Sequence, residues 1–176
     1  ANPDNHEAFL LRARLLQQIY GAAAKKNAAD DVTKAYELNS DSVESQLAMA
    51  QTLVGNRNLE EAKTLIRKGL EKAEERFDKS RLYGLLISAI RAENDDDAAL
   101  AAINDAAKDI PHDPDLMWQK ANILLTRKDH KGVEGMYKEL ERSGVPSAMI
   151  AFLQSRIMLD KGKYLDAVKA LERIYP

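Results

Sequence analysis

Apolar residues recur along the chain at the three- and four-residue spacing of helices that bury one face. The spacing predicts a helix over Lys25–Leu38, for example, and another through Leu59, Ala62, Leu65 and Ile66. Clusters of Gly, Pro, Asn, Asp and Ser interrupt the pattern at regular intervals. Because short breaks place consecutive helices side by side, the pattern predicts an all-α chain of antiparallel helix pairs.

Several predicted helix ends carry residues that satisfy free backbone groups. The run His112-Asp113-Pro114-Asp115 is typical of a helix stop followed by a capped start with Pro in the first turn. Asn58 followed by Glu61 predicts a capping box. Asn2-Pro3-Asp4 is expected to open the first helix, since Pro and acidic residues suit a first turn.

The stretch Asp160–Ile174 has the arrangement of one complete helix-turn-helix corner. Gly162 predicts the positive φ of a sharp helix exit. Tyr164 is expected to plug the corner, and Ala167 is small enough for two helices to touch there. The buried stripe is expected to continue at helical spacing through Leu171 and Ile174.

This corner recurs at a nearly constant period. The positions that match Ala167 are Val133, Ala99, Ala62 and Ala28. Their separations are 167 − 133 = 34, 133 − 99 = 34, 99 − 62 = 37 and 62 − 28 = 34. We expect the extra residues of the longer step within 74–79, where they would lengthen the helix that begins near Leu59 by about one turn.

A period of about 34 residues with two amphipathic helices per unit resembles the tetratricopeptide repeat (TPR) family. Four residues after each of the positions above, the side chain is large and apolar or aromatic: Val32, Ile66, Ile103, Tyr137 and Leu171. The position where the family favours small residues holds Leu16, Ala50, Ile87, Ala121 and Ser155. Two of these five depart from the preference, so the repeats are degenerate.

The resemblance implies a right-handed superhelical solenoid of about five TPR-like antiparallel helix pairs. The approximate units are 5–40, 41–77, 78–112, 113–145 and 146–176. In this family the first helix of each pair lines a concave groove that binds protein segments. Units that bury their faces against one another form an extended surface, so the resemblance implies a non-catalytic interaction scaffold.

The composition of the chain excludes several kinds of partner and of chemistry. Charged residues make up 31% of the chain and the formal net charge is −2, which gives no general attraction to nucleic acid or anionic lipid. No apolar stretch is long enough for direct membrane insertion. Cys is absent, so this piece contains no disulfide, thiolate metal site or cysteine nucleophile. Cytoplasmic and extracytoplasmic locations both remain open.

Residues with catalytic or metal-binding chemistry have simpler explanations. Asp95, Asp96 and Asp97 suit a helix start, where acidic residues complement the helix dipole. The three histidines lack a second ligand at metal spacing, and His130 occupies a structural position at a corner. We therefore expect no enzyme activity, no cofactor and no metal site.

Trp118 and Phe152 are 152 − 118 = 34 residues apart, at a position that faces the groove in the family. The alternative is that Trp118 only packs between units. Other groove-lining positions supply the polar residues of the predicted peptide-binding surface: Gln51, Ser88, Arg91, Asn122 and Arg156. A ligand with an apolar side chain near Trp118 and an acidic group near Arg91 or Arg156 would fit this set.

One subgroup of the family binds the carboxylate-ended tails of chaperones through a Lys and Asn clamp. The matching positions hold Ala13, Gln17, Ala48, Arg81 and Leu85, of which only Arg81 could serve. This departure argues against a chaperone adaptor.

Two alternatives remain open beside the scaffold. The chain could be the repeat arm of a larger enzyme or of a secretion or polysaccharide-export system, or its groove could be filled by its own chain in an oligomer. The last helix, ending at Pro176, has no polar capping helix after it, so we expect an excised piece of a longer repeat protein that self-associates through uncapped ends.

Overall fold

A computed structural model describes residues 5–172, and every regular element in that range is helical. The elements are α1 His6–Tyr20, a 3₁₀ turn Gly21–Ala24, α2 Lys25–Leu38, α3 Val43–Gly55, α4 Leu59–Lys72, α5 Arg76–Arg91, α6 Asp96–Asp109, α7 Pro114–Thr126, α8 His130–Arg142, α9 Ser147–Asp160 and α10 Tyr164–Glu172. The predictions of an all-α fold and of a helix over Lys25–Leu38 are confirmed.

The described chain divides into two compact units at Asp95 and Asp96. In the first unit, α1 packs on α2 and α3 packs on α4, while α2 and α4 also contact the helices that follow them, α3 and α5. In the second unit, α7 packs on α8 and α9 on α10, while α6 contacts α7 and α8 contacts α9. Within each unit, every helix therefore packs on its sequence neighbours, as in a helical repeat.

The residues that define the period are buried where the helices meet. The exposed fraction is 0% for Ala28, Ala62, Ala99 and Val133, and 2% for Ala167. Small side chains at these positions allow neighbouring helices to approach closely. The repeat inferred from the sequence is therefore also a repeat of packing contacts.

A backbone conformation recurs in step with these contacts. Positive φ angles occur five residues before four of the buried positions, at Arg57 (66°), Asn94 (64°), Lys128 (58°) and Gly162 (72°). After three of these residues the next N–H donates to a carbonyl five residues back, in the pairs Asn58–Leu53 (2.9 Å), Asp129–Leu124 (2.9 Å) and Lys163–Met158 (2.8 Å). This is the Schellman helix ending. The prediction for Gly162 is confirmed.

Of the helix caps predicted from the sequence, the one at Asp113 is confirmed and the one at Asn58 is not. The Asp113 carboxylate accepts the backbone N–H groups of Asp115 and Leu116, both at 3.1 Å, ahead of Pro114 in the first turn of α7. The capping box at Asn58 is wrong, because the Asn58 side chain makes no capping hydrogen bond. Asn58 has φ −84° and ψ 63°, outside the extended conformation that usually accompanies such a bond.

The extra residues lengthen a different helix from the one predicted. The helix α4 ends at Lys72 and has 14 residues, because Ala73 turns to an extended conformation. The additional length lies in α5, which has 16 residues and begins after Glu75. Phe77 is on this added turn and is 71% exposed, with the Arg81 guanidinium 5.4 Å from its ring centroid.

The last described helix, α10, exposes residues that were expected to be buried. Tyr164 is 67% exposed and does not plug the corner, and Leu171 is 38% exposed. Leu165 and Val168 are exposed at 77% and 52%. The cause is that α9 is the only helix packed on α10 in the described part of the chain. The predictions for Asn2-Pro3-Asp4 and for Ile174 lie outside the described residues.

Polar contacts join α8 to α9 in the second unit. His130 Nε2 lies 3.0 Å from Asp160 Oδ2, so His130 has a structural contact at the corner. Lys161 Nζ donates to Glu134 Oε1 at 2.7 Å, and this hydrogen bond lowers the pKa of Glu134.

No helix within residues 5–172 combines the length and the apolar character that crossing a bilayer requires.

Candidate functional site

A groove of about 340 Å³ opens in the first unit between α1, α2 and α3, with one residue from α5. We call it the first-unit groove. Its apolar lining consists of Leu10, Ala13, Ala29, Val32 and Ala48. Its remaining lining is polar or glycine: Arg14, Gln17, Lys25, Glu44, Gln51, Thr52, Gly55 and Arg81. The groove therefore combines an apolar surface with hydrogen-bonding groups and charge, as ligand sites do.

Helical periodicity explains why these residues converge. On α1 the lining residues stand at positions 10, 13, 14 and 17, and on α2 at 25, 29 and 32, so each set occupies one helix face. Ala13 and Ala48 carry short side chains where larger ones would fill the space. The sequence thus keeps the groove open by placing small residues on facing helices.

An ion pair between the exposed Arg12 and the buried Asp31 holds α1 against α2 next to the groove. Arg12 Nε donates to Asp31 Oδ2 at 2.7 Å, and Arg12 Nη2 donates to Asp31 Oδ1. Asp31 is 5% exposed, and its hydrogen bond raises the pKa of Arg12. A two-point contact of this kind fixes relative orientation as well as distance.

The charged residues that line the groove differ in the hydrogen bonds and ion pairs that their side chains already make. Arg81 Nη1 donates to Glu44 Oε1 at 3.0 Å and lies 3.6 Å from Asp78 Oδ1. Lys25 Nζ donates to the Gly55 carbonyl at 3.3 Å. The Arg14 side chain has no ion pair or hydrogen bond with another residue in 5–172.

Among the site residues predicted in the first unit, Gln51 lines the groove, whereas Ser88 and Arg91 do not. The Ser88 hydroxyl donates to the Gly84 carbonyl of its own helix at 2.9 Å. Arg91 is half-buried on the last turn of α5.

Three of the residues predicted in the second unit form a contiguous surface. The ring centroids of Trp118 and Phe152 are 6.3 Å apart, and the Arg156 guanidinium lies 5.9 Å from the Phe152 centroid. We call these three residues the aromatic patch. Phe152 is 41% exposed, whereas Trp118 is half-buried and packs against the core of the unit. The Asn122 amide donates to the Trp118 carbonyl at 2.9 Å, so its N–H is used within α7.

Sequence reasoning missed two cations of the first-unit groove, Arg14 and Lys25. Four residues at the positions of the family's clamp, Ala13, Gln17, Ala48 and Arg81, do line the groove. Helical spacing could have found Arg14, which is four residues after Leu10 and three before Gln17 on the same face of α1. Lys25 stands at the start of α2, where the sequence did not show which way it faces.

Within the described residues, no group of three or more His, Asp or Glu side chains is arranged to hold a metal ion.

No protein-family model and no curated protein sequence matches the chain. Solved structures do match over nearly its whole length. The type IV pilus biogenesis factor PilW has a TM-score of 0.75 at 18% identity, covering 96% of this chain and 76% of its own. TTC0263, a thermophilic TPR protein of Thermus thermophilus, has a TM-score of 0.68 at 18% identity, covering 95% and 90%. YrrB, a TPR protein with an unusual peptide-binding site, has a TM-score of 0.57 at 17% identity, covering 97% and 85%.

The packing of consecutive helices and these likenesses define the class as an all-α helical repeat. The fold of the chain is the TPR fold.

Proposed function

We propose that this chain is a non-catalytic interaction scaffold that binds a peptide or protein segment along its first helices. The observation that carries the proposal is the first-unit groove. Small apolar residues in its lining, such as Ala13 and Ala48, leave room for ligand side chains, and the lining residues Gln17 and Gln51 carry amides that can bond a peptide backbone. An extended segment needs both kinds of contact, since its backbone polar groups lose water on binding.

The aromatic patch supports the same function in the second unit. An exposed aromatic ring beside an arginine is a common composition for a binding hot spot. We propose that an apolar ligand side chain contacts Trp118 and Phe152 and that an acidic group binds near Arg156. The remaining proposed contacts of the scaffold are Gln51, Ser88, Arg91 and Asn122.

The fold comparison adds support for a peptide ligand. YrrB shares the fold and is described as having an unusual peptide-binding site. No feature of residues 5–172 favours the alternative of a repeat arm of an enzyme or export system. Self-association through the exposed apolar residues of α10 is compatible with the scaffold, because none of these residues lines the groove.

The test is affinity selection of a random peptide library, blocked at both termini, on the immobilised protein. We expect retained sequences to bind the soluble protein and to lose affinity for Gln51→Trp, which puts a large side chain into the groove. Gln18→Trp is the matched control, because Gln18 is exposed on α1 and does not line the groove. Failure to retain any sequence above a resin control, or equal binding by both variants, would contradict a peptide site in this groove.

A further inference from the structure

We propose that the first-unit groove selects an acidic side chain within the interior of an extended peptide. This inference rests on the proposed function and specifies the ligand of that site. Three observations support it. They are the net charge of the groove, the ion pairs and hydrogen bonds that its cations already make, and the shape of the space beside Arg14.

The first-unit groove carries a net positive charge, although the formal net charge of the whole chain is negative. Its lining carries three cations, Arg14, Lys25 and Arg81, and one anion, Glu44, which gives 3 − 1 = +2. The formal charge of the whole chain is −2. A local charge of opposite sign, set in a concave surface, favours an acidic ligand over a neutral or basic one.

Two of the three cations can turn toward a ligand. The guanidinium of Arg81 is held by Glu44 at 3.0 Å. Lys25 uses one of its three N–H groups on the Gly55 carbonyl, and Arg14 has no partner among the described residues. Arg14 and Lys25 come from different helices, α1 and α2, and line the same groove, so one carboxylate between them could accept hydrogen bonds from both.

The space beside Arg14 favours an internal residue over a chain end. A second cavity of about 230 Å³ shares Leu10, Arg14 and Glu44 with the groove and continues along His6, Glu7, Leu11 and Ser42. A peptide that places its carboxylate at Arg14 therefore has room to continue beyond it. A C-terminal Asp or Glu would carry two carboxylates, one on the side chain and one at the chain end, toward Arg14 and Lys25. One of the two would then lie near Glu44, where like charges repel.

The experiment compares two peptide libraries on the full chain. Both are blocked heptapeptide mixtures, one with Glu and the other with Gln fixed at the central position. We expect the Glu library to be retained about fivefold more strongly, as for a partly exposed ion pair of about 1 kcal/mol. Arg14→Gln and Lys25→Gln should each bring the ratio close to one, and Arg14→Lys should preserve part of it.

Lys26→Gln is the matched control. It makes the same charge change on α2, but Lys26 is exposed and does not line the groove. The retention ratio of the Glu to the Gln library should be unchanged in this variant. In both the wild type and Lys26→Gln it should fall at high salt, because exposed charges are screened. Equal loss in Lys25→Gln and Lys26→Gln would mean that only net charge matters, which would overturn the proposal.

Two further outcomes separate this inference from the proposed function. If the wild-type chain retains both libraries equally, peptide binding stands and acidic selection is wrong. If it retains neither, the proposed function itself fails. A third library with a free C-terminal carboxylate and neutral side chains tests the other source of negative charge, and its preferential retention over the Glu library would overturn the internal position.

Discussion

Trp118 on α7 and Phe152 on α9 stand 34 residues apart in the sequence, and their rings lie with centroids 6.3 Å apart and planes inclined at 49°. Aromatic pairs at this separation contribute about 0.5–1.5 kcal/mol beyond the area they bury. The contact joins the first helices of two successive pairs. The aromatic patch is therefore both an exposed surface and a structural link between repeats.

A double-mutant cycle should separate these two roles. We expect Trp118→Ala to destabilise the chain more than Phe152→Ala, because Phe152 is 41% exposed while Trp118 packs on the core. The coupling energy, from urea unfolding, should be about 0.5–1.5 kcal/mol. Trp118→Ala combined with Tyr164→Ala is the control and should be additive. Additivity in the Trp118/Phe152 cycle would show that the ring contact contributes nothing.

Two glycines inside helices should respond oppositely to alanine. A Cβ at Gly69 would lie 3.0 Å from Gln46 Oε1 and 3.1 Å from Leu82 Cδ2, and both of those side chains are fully buried. Gly69→Ala should therefore lower the melting temperature despite the better helix propensity of alanine. Gly135 on α8 has nothing within 4 Å of an added Cβ, so Gly135→Ala should stabilise by about 1 kcal/mol. A higher melting temperature for Gly69→Ala would mean that Gln46 and Leu82 can move aside.

The positive φ of Lys128 predicts a stabilising substitution. Its φ of 58° is a conformation that glycine adopts without a Cβ clash, whereas lysine does not. Lys128→Gly should gain about 0.5 kcal/mol, after the entropy cost of glycine in the unfolded chain is subtracted. Lys138→Gly, in the exposed interior of α8, should instead lose about 1 kcal/mol. Chemical denaturation of both variants tests the sign, and a loss at Lys128 would argue against the left-handed turn.

Partial burial raises the pKa of Tyr137 to about 12 from an ordinary value of 10.0. Because the folded state favours the neutral phenol, this contribution to stability is complete below pH 10 and is lost as the pH rises toward about 12. In Tyr137→Phe, the tyrosinate absorbance titration should lack one late component, and stability should fall less across that interval. Tyr20→Phe, which changes an exposed tyrosine, is the control. Removal of an early component by Tyr137→Phe would contradict the raised pKa.

The exposed face of α10 predicts self-association of this chain. Leu165 and Val168 present an apolar surface one helical turn apart. Leu165→Lys should shift sedimentation toward the monomer at matched concentration. Phe77→Lys makes the same charge change at an exposed aromatic residue on a different helix, α5, and should not shift it. Identical sedimentation of wild type and Leu165→Lys would show that this face is not an interface.

The buried positions of the repeat could be predicted because they depend on spacing along the chain. Small residues at Ala62 and Ala99 recur at the period, and burial at 0% follows from helix geometry. The left-handed turn was visible at Gly162 but not at Arg57 or Lys128, because those residues give no sign of positive φ in the sequence. The residue type therefore predicted the positive φ at Gly162, whereas the positive φ at Arg57 and Lys128 could be seen only in the structure.

The features that were predicted wrongly depend on neighbours. Tyr164 has the residue type of a corner plug, but its exposure is set by what packs on α10. The extra residues within 74–79 could lengthen the helix before them or the helix after them, and the extended backbone at Ala73 decided in favour of α5. Arg14 and Lys25 are ordinary helix-surface cations in the sequence, and only the approach of α1 to α2 brings both into the lining of one groove.

The constant five-residue interval between the left-handed turn and the buried contact bears on how such a chain can evolve. Each of the four segments with this interval contains its own left-handed turn and its own buried contact. The 37-residue step changes neither, since its added length lies in α5. A tandem duplication of one segment would thus copy both the left-handed turn that reverses the chain and the small residue through which neighbouring helices pack. Gene-level lengthening or shortening by whole segments then requires no compensating change elsewhere, whereas an insertion inside the five-residue interval would separate the two.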